Sequence, residues 1–110
     1  MKNDMTLEDK VKICTIVKNA VDKIANSYSF GIKDLTVNQE DFYDDKYGTF
    51  CAVIRGGRNG SLVEHSQYYF NQISFLFDIL KTEGVKAWPV NLDFDVPDDT
   101  FKFRLGLEWI

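Results

Sequence analysis

The C-terminal end of the chain constrains its fold more than any other part. Val90, Leu92, Phe94 and Val96 alternate with Asn91, Asp93 and Asp95. After Pro97-Asp98-Asp99, the series Phe101, Phe103, Leu105, Leu107 and Trp109 alternates with Lys102, Arg104, Gly106 and Glu108. A period of two places every apolar side chain on one face of a strand. The pattern predicts an antiparallel hairpin of about Trp88–Val96 and Thr100–Trp109. A tight connection after Val96 sets Phe94 opposite Phe103 and Leu92 opposite Leu105. The same register sets Asp95 opposite Lys102 and Asp93 opposite Arg104, an ionic ladder in which each pair contributes roughly 0.2–1 kcal/mol. A one-residue slip would turn every side chain over.

The apolar face of such a hairpin needs a cover, and two helices supply it. Thr6 and Asp9 stand three apart at the start of a periodic run, as a helix N-cap with carboxylates at the positive end of the helix dipole. Leu7, Val11, Cys14, Val17, Val21, Ile24, Ala25 and Tyr28 then fall on one face, which predicts an amphipathic helix over Leu7–Ser27 that stops near Gly31. Tyr68–Thr82 is the second helix, ended by Gly84. It carries one stripe of Tyr69, Ile73, Leu76 and Leu80, flanked by Phe70 and Phe77. Tyr68, Phe75 and Ile79 form a second stripe. The sheet covers one; the first helix or a second copy of the chain must cover the other.

Between the helices, Gly31–Val37 reads as a strand, Asn38–Gly48 as an acidic loop and Thr49–Arg55 as a strand with Phe50, Ala52 and Ile54 on one face. Gly56-Gly57-Arg58-Asn59-Gly60-Ser61 is the strongest break. Asn59-Gly60 is a hairpin signal that would return Leu62–Gln67 as a strand. Ser61-Leu62-Val63-Glu64 is a capping box that would open a helix there, and the helix is the preferred reading. The expected architecture is an α+β two-layer sandwich. Its order is α-β-β-α-β-β, with a mostly antiparallel four-stranded sheet and both helices on one face.

At 110 residues, with 45% hydrophobic and 27% charged residues, the chain suits one domain with a real core. A net charge of −4 disfavours nucleic acid and anionic membranes as partners. Met1–Asp9 is polar and no apolar run reaches the ~20 residues of a membrane span. Cys14 and Cys51 read as free thiols in a reducing compartment, so a cytoplasmic protein is expected.

Chemistry-bearing residues are few. Arg55, Gly57, Arg58, Asn59, Gly60 and Ser61 form a glycine-rich loop with two guanidinium groups ahead of a helix N-terminus, a setting for an anionic small molecule or nucleotide. It matches neither of the common phosphate-loop patterns. Asn91, Asp93 and Asp95 present oxygens at alternate positions, as Mg²⁺ or Ca²⁺ ligands do. Lys102 and Arg104 already supply their counter-charge, so no metal or other cofactor is expected. His65 is the sole histidine, and a Cys51- or His65-dependent enzyme is the least favoured reading. Glu40, Asp41, Phe42, Tyr43, Asp44, Asp45 and Tyr47 set aromatics among carboxylates, a composition suited to docking on a protein. The leading expectation is a non-enzymatic interaction module of inhibitor, immunity or adaptor type, docking through the Glu40–Tyr47 loop and the charged face of the terminal hairpin. The second apolar stripe and Ile110, beside Cys51 and Val53 on the nominally polar face, favour a homodimer.

Overall fold

The C-terminal hairpin forms two residues away from the expected register. In the computed structural model, which describes residues 5–27, 35–57, 62–95 and 100–110, strand β3 (Val85–Asp95) pairs antiparallel with β4 (Thr100–Trp109). Phe94 lies opposite Phe101, Leu92 opposite Phe103 and Asp93 opposite Lys102. A shift of two keeps both faces and changes every partner: Arg104 faces Asn91 instead of Asp93. The alternation also breaks once. The register jumps between Pro89 and Asn91, so Val90 bulges out with 49% of its surface exposed. Proline has no N–H for the ladder, and a bulge on an edge strand accommodates it. Beyond the bulge, pairing continues to Val85 opposite Trp109, so β3 begins at Val85 rather than Trp88.

The remaining elements are α1 (Leu7–Ser27), a 3₁₀ turn at Gln39–Asp41, β1 (Phe42–Asp44), β2 (Phe50–Gly57) and α2 (Leu62–Thr82). The sheet order is β1-β2-β4-β3, antiparallel throughout. The result is the expected α+β two-layer sandwich. The first strand is not where the sequence pattern placed it. Of Gly31–Val37, residues 31–34 lie outside the described residues, and Thr36 makes a single bridge to Arg55. The strand comes from inside the expected acidic loop. Its acids close the turns on either side: an Asp41 carboxylate oxygen accepts from Asn38 N at 2.8 Å, and Asp45 Oδ1 accepts from Tyr47 N and Thr49 N at 2.8 and 2.9 Å. Such Asx-type bonds free the three residues between them to pair with Phe50–Ala52.

Helix α1 opens on the expected Thr6 N-cap, which Asp9 turns into a reciprocal capping box: Asp9 N donates to Thr6 Oγ1 and Thr6 N to Asp9 Oδ2, both at 3.1 Å. Its buried stripe is Ile13, Cys14, Val17, Ala20, Val21 and Ile24. Leu7 and Val11, expected on that face, are exposed. At 3.6 residues per turn Val11 sits roughly 120° round from Val17, off the buried arc. The hydrogen bonds from Thr6 and the Trp109 side chain hold the Asp9 carboxyl below its ordinary range. A depressed carboxyl pKa contributes stability above the unfolded value, and that contribution is lost as pH falls through the folded one. The melting-point gap between wild type and Asp9→Asn should therefore be open at pH 7 and close as pH is lowered towards 2.

Helix α2 begins at Leu62, so Leu62–Gln67 is helix and not a returning strand. It ends at Thr82, and two residues on Gly84 turns the chain with a φ of 82°, the left-handed conformation that glycine adopts without strain. Ile73, Leu76 and Leu80 bury against the sheet, and Phe77 meets the Phe103 ring at 6.1 Å. The other side of α2 lies along α1, where Ile79 and Glu83 face Ile16, Asn19, Ala20 and Lys23 across a cleft of about 120 Å³. Helix α1 thus covers part of the second stripe, while Phe75 stays exposed.

Gln72 is 0% exposed, and neither end of its amide has a hydrogen-bond partner. An unmet buried polar group costs about 1–3 kcal/mol. Gln72→Met, similar in volume and unbranched, should raise unfolding stability by about 1–2 kcal/mol in urea titration.

Candidate interaction surface

Both helices pack on the face of the sheet that carries Phe50, Ala52, Ile54, Phe103, Leu105 and Leu107. Neither α-helix lies over the opposite face. There the register aligns side chains in rows across the strands: Tyr43–Cys51–Gly106–Trp88, then Val53–Arg104–Asn91, then Arg55–Lys102–Asp93. Cys51 is 0% and Val53 7% exposed on this helix-free face, so the two residues that favoured a second copy are already buried within the chain. Ile110 remains exposed, its backbone N donating to Gly84 O at 3.0 Å.

Gly106 shapes this face. A Cβ there would collide with Cε2, Cζ2 and Nε1 of the Trp88 indole, so the indole lies directly over the Gly106 backbone. An isolated glycine within a strand often marks this kind of close approach. Lys86 Nζ stands 6.0 Å from the Trp88 ring centre. From the other edge Tyr43 reaches in, its hydroxyl accepting from Arg104 Nη1 at 3.5 Å. Trp88, Tyr43 and Arg104 are each half-buried, and Arg104 Nε is enclosed without an acceptor.

The acidic segment is mostly consumed by the fold. Asp41 is buried and accepts from Arg55 Nη2 at 2.9 Å and Nε at 3.3 Å. Phe42 stacks on Phe50 at 6.0 Å. Asp44 pairs with Lys10 of α1 at 3.0 Å, and Asp45 closes the turn as described. Glu40 is exposed, and Tyr47 is 80% exposed beneath Lys46. The segment therefore contributes Tyr43 to the helix-free face and Tyr47 to a hairpin tip. It does not present a continuous acidic surface.

The glycine-rich loop is described in part. Gly57 pairs with Thr100 at the end of β2, and Arg58, Asn59, Gly60 and Ser61 lie outside the described residues. Arg55 is held by Asp41 and points along the helix-free face, so its guanidinium is already engaged.

Both thiols are shifted away from the thiolate form. Burial pushes the Cys14 thiol up, against the Lys18 charge. At Cys51 burial is again the largest cause, and the Asp45 charge adds to it. Thiolate chemistry requires the opposite shift. His65 belongs to α2, and its side chain lies outside the described residues. Among the described residues no three His, Cys, Asp or Glu side chains gather as metal ligands, and no helix is long and apolar enough to cross a membrane. Neither family models, nor curated proteins, nor solved structures match the chain.

Sequence reasoning pointed to the charged face of the terminal hairpin, but it assigned Arg104 to an ionic ladder, gave Gly106 no role and did not place Trp88 on that face. The available signal was the lone Gly106 in an otherwise bulky strand. Reading it required the register that brings Trp88 alongside.

Proposed function

We propose that the protein is a non-enzymatic interaction module, of inhibitor or adaptor type, that holds a protein partner on the helix-free face of its sheet. The Trp88 indole laid over Gly106, facing the Tyr43–Arg104 pair, carries this reading. Trp, Tyr and Arg dominate the energetics of protein interfaces, because large half-buried groups gain most from final desolvation. The edges of the sheet point the same way. β1 spans three residues, and β3 is interrupted by Pro89 and the bulge at Val90. Short and kinked edges resist strand addition, which leaves a face as the better docking surface. Free, buried cysteines suit a reducing compartment, and the cytoplasm is the proposed location.

The test is selection of binders from a displayed random peptide library against the intact protein, followed by mapping of the tightest binder through backbone amide shifts. The proposal expects shifts clustered at Tyr43, Val53, Trp88 and Arg104, and loss of binding in Trp88→Ala. Failure to select any binder, or shifts confined to α1, α2 or residues 45–48, would contradict it.

A further inference from the structure

We infer that the segment held on this face is acidic and places a carboxylate on Arg104, an inference that rests on the face being the binding surface. Charge matching on this face singles out Arg104. Lys86 has Glu108 at 3.7 Å and Arg55 has Asp41 at 2.9 Å, while Lys102, opposite Asp93, is exposed to water. Arg104 sits between Val53 and Asn91, and the Asn91 amide is turned towards Asp93 at 3.4 Å. Among the described residues no carboxylate comes within 4.0 Å of the Arg104 guanidinium.

The guanidinium is charged at any physiological pH and has a planar fork of donors matched to a carboxylate. Its Nε is enclosed without an acceptor and Nη1 makes one long bond to the Tyr43 hydroxyl. The fork is thus fixed in place by its surroundings while most of its donor capacity is unspent. A carboxylate arriving there meets a pre-positioned cation. An aromatic or aliphatic neighbour on the same segment would rest on the Trp88 indole.

The library selection answers this through composition, where the previous test used location. Peptides enriched on the wild-type protein should carry Asp or Glu well above their frequency in the starting library. The tightest one should lose about tenfold or more in affinity on Arg104→Gln and less on Arg104→Lys, which keeps the charge without the fork. Lys81→Gln, on the exposed side of α2, should leave binding unchanged. Circular dichroism and melting of each variant establish that it is folded. Peptides that map to the helix-free face without acidic enrichment overturn the inference and leave the face as the binding surface. Peptides that map elsewhere overturn both. A dimer in light scattering that Arg104→Gln dissociates would make the occupant a second copy of the chain and also overturn the inference.

Discussion

Leu105→Ala is expected to destabilise the protein by about 2–5 kcal/mol, whereas Arg104→Ala, one residue earlier, should cost about 1 kcal/mol or less. Leu105 is fully buried at the middle of β4, opposite Ala52 on one side and Pro89 on the other. It belongs to the cluster formed with Ile13, Val17, Leu76 and Leu80 from the two helices. Truncating it loses the transfer free energy of the deleted carbons and leaves a cavity between layers that cannot close on itself. Arg104 points to the other face, where its removal uncovers part of Val53 and takes away one long hydrogen bond. Urea unfolding at constant m-value measures both. Equal losses would mean that the two faces of β4 are not assigned as described.

Asp41→Ala is the second large effect, at about 2–3 kcal/mol. Its side chain is 3% exposed and serves two segments at once. It accepts from Asn38 N, fixing the 3₁₀ turn, and from two nitrogens of Arg55 on β2. Hydrogen bonds to a charged group contribute roughly 1.5–3 kcal/mol. Removing one member of a fully buried ion pair costs about 3–5 kcal/mol. Arg55 is 43% exposed, so water partly replaces the lost carboxylate and the lower figure applies. Arg55→Ala in the Asp41→Ala background should then cost little more, because the pair acts as a unit. A role for Asp41 in partner contact would instead leave stability unchanged and weaken binding.

The helices and the faces of β2 and β4 were legible because they depend on periodicity alone. The N-cap at Thr6, the start of α2 at Leu62 and the stop at Gly84 follow from local chemistry, and each appears where that chemistry places it. Pairing partners were less legible. Alternation determines which face Phe103 joins, while the length of the connection determines that it meets Leu92, and the bulge at Val90 that Trp88 meets Gly106. The β1 strand was hidden for a related reason. Asp41 and Asp45 read as solvated loop acids, yet their carboxylates satisfy the backbone that frames a three-residue strand. Gln72 carries no sequence signal at all, since its burial is set by tertiary packing around α2 and not by local pattern. The candidate surface inherits the pairing problem. With Asp93 opposite Arg104 the face looks self-neutralised, and with Asn91 there it does not.

The chain has two tryptophans, one on each side of the sheet, and they make the central claim directly measurable. Trp88 lies over Gly106 on the helix-free face, and Trp109 packs against the core on the helix side. The measurement is the pair of indole N–H resonances as the tightest selected peptide is added. Binding on the helix-free face predicts that the Trp88 resonance moves to saturation while that of Trp109 stays in place. A shift of Trp109 with Trp88 unmoved would contradict it.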